Sequence, residues 1–151
     1  MLRDAVAAGR ETLRLAPWLR STRAQFARYA RAATQIDNAV TSVEALSRGA
    51  VRALAQGDNV PPPVPEALRE LGDAVRRLEG TLDEGGDATA VREPALRAAA
   101  RATLVLEQTA NLSVNLIVVQ ARATAVDLLR GSGLDRDEAE SLVREAVKRL
   151  Q

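Results

Sequence analysis

The side chains in this chain that could do chemistry are carboxylates, amides and guanidinium groups, because the sequence contains neither histidine nor cysteine. It therefore lacks the usual transition-metal ligands, thiol nucleophiles and the commonest general base. Three carboxylates share one helical face, but arginines alternate with them, as on an ordinary solvated helix. The carboxylates are Glu66, Glu70 and Asp73, and the arginines are Arg69, Arg76 and Arg77. We predict a protein that is not an enzyme and that uses no cofactor or metal ion.

Two groups of polar residues at helical spacing are the sharper signal. Within each group the residues are three or four positions apart, so they lie on one face of a helix. The groups are Gln35, Asn38 and Ser42, and Gln108, Asn111 and Asn115. In an antiparallel helix pair they would lie at similar height, and an unpaired buried amide costs about 1–3 kcal/mol. We predict a buried polar layer, with a solvated face or a site for a small polar or aromatic ligand as alternatives.

A third group combines an aromatic residue with arginines near the start of the chain: Arg14, Trp18, Arg20 and Arg23. An aromatic ring among basic residues is typical of a membrane-interface anchor, so contact with an anionic membrane surface is one expectation. The alternative is a Trp18 ring that packs over the end of the bundle while the arginines face solvent. The net charge of the chain is only +1, which predicts no nucleic-acid partner.

The elements that must position these groups are helices. Residues 18–48 and 95–130 contain no glycine or proline and are rich in good helix formers. Each stretch predicts a rod of roughly 45–55 Å. The apolar pattern of the first continues to a predicted C-terminal stop at Gly57, and the second is predicted to begin or to be kinked at Pro94. Shorter helices are predicted over residues 2–16, over 65–83 and after Asp135, where Glu138 completes a capping box. We predict an all-α antiparallel bundle of four to five helices dominated by two long helices. Residues 1–151 form a single helical domain, with a basic N-terminal helix at 1–17 and the bundle at 18–151.

Apolar spacing gives each rod a packing face. The first rod has apolar residues at heptad spacing, interrupted at Ser47, and its members are Phe26, Tyr29, Ala33, Ile36, Val40, Val43, Ala50 and Leu54. The second rod has two adjacent apolar stripes, which is typical of the central helix of a bundle. Its most apolar stretch, Leu112 to Val119, is shorter than the ~20 residues of a membrane span. No signal peptide is visible at the start.

Two segments resemble a known family. They are Pro61–Leu78 (PPPVPEALRELGDAVRRL) and Gln120–Val147 (QARATAVDLLRGSGLDRDEAESLVREAV). Both resemble the cytoplasmic helical region of aromatic acid exporter proteins of the fusaric-acid-resistance (FUSC) type found in actinobacteria, a likeness that covers most of residues 20–150. In those proteins a membrane half is coupled to a soluble helical domain. The resemblance implies that Arg20–Arg31 follows the exit from the membrane, although this chain lacks the membrane half.

The resemblance implies a non-enzymatic, cytoplasmic regulatory or assembly domain of a membrane exporter. The expected partner is a second copy of the chain or a membrane-embedded domain of the same protein. The expected location is the cytoplasm, at the inner face of the plasma membrane. Two other functions stay open at this point: a stand-alone helical scaffold that binds a helix of another protein, and a bundle that senses a small ligand.

Overall fold

A computed structural model describes residues 6–9, 11, 20–84 and 87–150, with only the backbone at residues 20–25, 28 and 82–84. Residues 6–9 are helical, and no strand occurs in the described part. Five longer helices follow: α1 (Arg20–Gln56), α2 (Pro63–Glu84), α3 (Thr89–Val105), α4 (Leu112–Gly131) and α5 (Arg136–Lys148). The prediction of an all-α bundle is confirmed. The extent of the domain over residues 1–151 stays a prediction.

Two helix boundaries form as the local sequence predicts. α1 ends before Gly57, which has a positive φ of 67°, a backbone conformation that glycine adopts at little cost. At the start of α5, the Asp135 carboxylate accepts the Glu138 backbone N–H at 2.8 Å. The Glu138 carboxylate accepts the Asp135 N–H at 3.0 Å in return. This capping box satisfies two backbone donors that no helical carbonyl can reach.

The start of α3 differs from the prediction. We expected a start or a kink at Pro94, yet the helix begins at Thr89 and Pro94 is a buried residue inside it. Proline has no N–H, so the carbonyl of Ala90, four residues earlier, loses its helical donor. The Arg77 guanidinium of α2 lies 3.5 Å from that carbonyl oxygen and donates to it. A side chain of the neighbouring helix therefore compensates for the proline.

The prediction of one rod over residues 95–130 is wrong. The chain leaves the helix after Val105 and begins α4 at Leu112, so this segment forms two packed helices. Side chains replace the missing helical bonds in the turn. The Thr109 hydroxyl accepts the Asn111 N–H at 3.1 Å, and the Asn111 amide oxygen accepts the Val114 N–H at 3.0 Å. Local bonds of this kind compete with helix formation even where glycine and proline are absent.

The bundle is built from two helix pairs and a short closing helix. α2 packs on α3, α1 packs along α4, and α5 closes over α3 and α4. The core uses small side chains, and α3 contributes mostly alanine: Ala95, Ala98, Ala99, Ala100 and Ala102. Small side chains let helix axes approach to the lower end of the usual 8–10 Å range.

The α1 and α4 helices run antiparallel, and three contacts fix their register. The Ser113 hydroxyl lies 3.4 Å from the Gln56 amide oxygen at one end. A Cβ added at Gly49 would lie 3.2 Å from Ile117 Cγ1, and one at Gly131 would lie 3.7 Å from Gln35 Cβ. The end of α4 is therefore level with Gln35. From that level, the N-terminal part of α1 continues for about 15 residues, or roughly 22 Å.

Candidate functional site

The acidic cluster on α2 forms interhelical ion pairs. Arg97 Nε of α3 lies 2.8 Å from Glu70 Oε2, and Arg101 Nη1 lies 2.5 Å from Glu66 Oε2. Asp73 pairs with Arg76 on its own helix. Two of the three carboxylates thus hold α2 and α3 together. Among the described residues, no group of three or more acidic side chains is placed to hold a metal ion.

The two amide groups do not form one polar layer. Gln108 lies exposed in the turn, Asn111 caps α4, and only Asn115 lies inside that helix. Because Gln35 is level with Gly131, it lies about 16 residues from Asn115 along α4, or roughly 24 Å. Asn38 and Ser42 are half-buried on α1. The predicted common height is therefore wrong, since the register places the two groups toward opposite ends of the helix pair.

The role of Asn111 as the N-cap of α4 predicts how its substitution changes the stability of the chain. We expect Asn111→Ala to lower the free energy of unfolding by about 0.5–2 kcal/mol, because the Val114 N–H loses its acceptor. Asn111→Asp is the control, since its carboxylate can accept the same bond at a helix N-terminus. Urea denaturation of both variants measures the difference. A loss as large for Asn111→Asp as for Asn111→Ala would contradict the cap and restore an amide-specific role.

Part of the predicted heptad seam on α1 faces solvent. Four residues of the predicted seam are exposed: Tyr29 (39% exposed), Val40 (52%), Val43 (44%) and Leu54 (78%). Val51 is also exposed (67%), although the predicted seam did not include it. The face of α1 that is buried consists mainly of a neighbouring stripe of smaller side chains: Ala32, Gln35, Ala39, Leu46, Gly49 and Ala53. We call Val40, Val43, Ser47, Val51 and Leu54 the outer seam. These residues have the spacing of a coiled-coil contact but no partner helix over them in the described part of the chain.

Farther toward the N-terminus, the chain itself contacts the predicted seam at Phe26, while Tyr29 is exposed. Phe26 lies on the same heptad pattern, and the helical residue Gly9 approaches its ring so closely that a Cβ would have no room. Ala30 and Ala33 nearby are buried. A helical stretch therefore already packs on one part of the seam, which indicates the kind of element that fits the rest.

The α4 helix has a second exposed apolar group, consisting of Leu112, Leu116 and Val119. By length and composition α4 could cross a membrane, with a mean hydropathy of 1.4, and it is the one such helix among the described residues. The apolar segment is thus longer than Leu112–Val119 alone. Half of it is buried inside the bundle, and the core helix of a soluble protein meets the same criterion.

Arginines line two adjoining clefts at the Gln35 end of the bundle. Arg130 and Arg136 border both clefts, and Arg31 and Gln35 border one of them. Gln35 Oε1 is buried and has no hydrogen-bond donor. Burial raises the pKa of Asp127 in the second cleft, while the positive charges of Arg130 and Arg136 act in the opposite direction. Carboxylates also border these clefts, and Arg136 pairs with Glu140 at 3.0 Å. The alternative of a bundle that senses a small ligand stays a prediction.

The N-terminal basic and aromatic group cannot be placed as a unit. Arg14 and Trp18 lie outside the described residues. Arg20 and Arg23 belong to the first turns of α1, and their side chains lie outside the described part. The membrane-anchor expectation for these four residues stays a prediction.

Comparison with known proteins finds a relative for nearly the whole chain. The chain is similar to an uncharacterized protein of Corynebacterium glutamicum, with 28% identity over 144 residues. The alignment covers 91% of this chain and 37% of the relative, so the chain spans little more than a third of that protein's length. No family model matches the chain. No solved structure matches it.

Two features escaped the sequence analysis. Asn111 precedes an apolar run, which is an ordinary N-cap signal, but the stripe pattern of the supposed rod took priority. For the outer seam, the signal was a second stripe of α1, rich in small residues, beside the heptad seam. This stripe could have been recognised as an alternative face for packing on the core. Small side chains permit the close approach that large ones prevent, so the alanine stripe packs on α4 and the larger residues face outward.

Proposed function

We propose that this chain is a non-enzymatic assembly or regulatory domain that acts by docking the outer seam of α1 on another helix. Its place is in a larger protein that resembles the aromatic acid exporters, on the cytoplasmic side of the membrane. The observation that carries the proposal is the exposed row of Val40, Val43, Val51 and Leu54 at coiled-coil spacing. Contiguous exposed apolar surface of this kind marks interaction sites more often than isolated apolar residues do.

Three further observations support the proposal. Residues 6–9 already pack as a helix on the Phe26 end of the same seam. The relative from Corynebacterium glutamicum is much longer than this chain, so the matched region there accompanies other segments. The carboxylates that could have suggested catalysis are engaged in ion pairs between α2 and α3.

Substitution of the seam tests the proposal. We expect Val40→Glu combined with Val51→Glu to abolish docking, because a glutamate buried in an apolar contact costs several kcal/mol. The stability of the isolated chain should change by no more than about 0.5 kcal/mol for each substitution, since both side chains are exposed. The measurement is the export of a panel of aromatic acids by cells that carry the variant gene. Export of each acid that unmodified cells export should fall to the level of cells without the gene.

The control is Val75→Glu on α2, because Val75 is 49% exposed and so matches Val40 in residue type and exposure. Cells with this variant should export those acids at the rate of unmodified cells. Unimpaired export by the seam variant would overturn the docking role of α1. Equal impairment by both variants would assign the effect to surface charge rather than to the seam.

A further inference from the structure

We infer that the outer seam binds a second copy of the same seam, as an antiparallel two-fold pair centred on Ser47. This inference rests on the proposed docking function and names its partner. The seam lies on the opposite side of α1 from Gly49, roughly 160° away at about 100° per residue, and Gly49 is where α1 touches α4. A second bundle can therefore approach the seam without meeting α4.

The spacing of the seam is symmetric about Ser47. Its residues follow one another in steps of three, four, four and three, and they fall within a sector of roughly 80°. An antiparallel pair centred on Ser47 places Val40 level with Leu54 of the other copy and Val43 level with Val51. Each apolar side chain then meets an apolar side chain. A two-fold interface requires such self-complementarity.

The charges beside the seam favour the antiparallel direction. Glu44, Arg48 and Arg52 lie along one flank of α1, and no ion pair within the described residues involves them. In the antiparallel pair this flank faces its own copy. Glu44 then lies between Arg48 and Arg52 of the other copy, about 3 Å along the axis from each. In a parallel pair the flank would instead face Ala39, Leu46 and Ala50.

Ser47 suits the centre of such a pair. Its side chain is small, so the two α1 axes can approach to the usual 8–10 Å. Its hydroxyl already donates to the Val43 carbonyl at 2.8 Å, so burial at the centre would leave no hydroxyl proton without an acceptor. The interruption that Ser47 makes in the heptad pattern thus falls at the point where the two helices cross.

Disulfide trapping tests the register, because the chain contains no cysteine of its own. In the inferred pair the two Ser47 Cα atoms lie roughly 3.5–5.5 Å apart, which overlaps the range of Cα–Cα distances in disulfides. We expect mild oxidation of Ser47→Cys to move most of the chain to the dimer position on a non-reducing gel. Thr41→Cys, on α1 but off the seam, should stay monomeric. Val40→Cys alone should also stay monomeric, but it should cross-link when mixed with Leu54→Cys.

Each other outcome overturns the inference. A Val40→Cys chain that cross-links to itself would indicate a parallel pair, since the antiparallel register separates those residues by roughly 21 Å. A Ser47→Cys chain that stays monomeric would exclude the second copy as the occupant. If export still depends on Val40 and Val51 in that case, the docking function stands and a different helix is the partner. If export does not depend on them, the docking function fails as well.

Discussion

Leu129→Ala is expected to lower the free energy of unfolding by about 2–5 kcal/mol, since it removes buried methyl groups and leaves a cavity. Leu129 lies near the end of α4, is fully buried, and belongs to a core cluster to which all five longer helices contribute. Many members of that cluster are alanines, and an alanine side chain has no rotamers with which to fill the space. We therefore expect a loss in the upper part of the range, measured by urea denaturation.

Leu112→Ala is the matched control, because it makes the same change on the same helix at a residue that is 77% exposed. Substitutions at such exposed positions usually change stability by no more than about 0.5 kcal/mol. The difference between the two variants isolates the contribution of burial. Equal losses would mean that Leu112 is also buried in solution, for example beneath a second copy or another segment.

Gly49→Leu is expected to destabilise the contact between α1 and α4. A Cβ at this position lies 3.2 Å from Ile117 Cγ1 and 3.4 Å from Leu116 Cδ2, so the rest of a leucine side chain would meet α4 directly. Overpacking of this kind costs about 1–3 kcal/mol. Because α1 packs mainly on α4, the loss should be local. Amide hydrogen exchange should accelerate along α1 while the α2–α3 pair keeps its protection.

Gly80→Leu on α2 is the control, and it should change the stability of the chain in the opposite direction. No heavy atom lies within 4 Å of a Cβ added at Gly80, so the side chain points into open space. Replacing a helical glycine with leucine there should stabilise the chain by up to about 1 kcal/mol. If Gly49→Leu left the amide hydrogen exchange of α1 unchanged, that result would contradict a close contact between α1 and α4 at this residue.

The sequence predicted the features that depend on local chemistry. The end of α1 at Gly57 and the capping box of Asp135 and Glu138 involve residues within one helical turn, so their signals are complete in a short window. The break between α3 and α4 is also local, but it depends on side-chain bonds of Thr109 and Asn111 rather than on glycine or proline. The prediction considered only glycine and proline as helix breakers, and it therefore joined α3 and α4 into one helix.

The orientation of α1 could not be predicted from its own residues. Two neighbouring stripes on this helix suit a core, one larger and one smaller in side-chain volume. The choice between them depends on the shape of α4, where Ile117 and Leu116 already fill the space beside Gly49. Tertiary packing also decides which polar residues come together, because the register of α1 on α4 determines which amide side chains lie at the same height. Neither the buried face of α1 nor its register on α4 can be predicted from the spacing of residues within one helix.

The N-terminal part of α1 extends beyond the end of α4 as continuous helix. About 15 residues of continuous helix form a stiff strut, and a helix of this length resists bending far better than a loop does. Because α1 is packed along α4 from Gln35 to Gln56, a force applied at the N-terminal end of α1 reaches that contact and the outer seam through one continuous helix. In mechanical terms, α1 is a stiff strut whose base is fixed to α4 and whose N-terminal part extends beyond it.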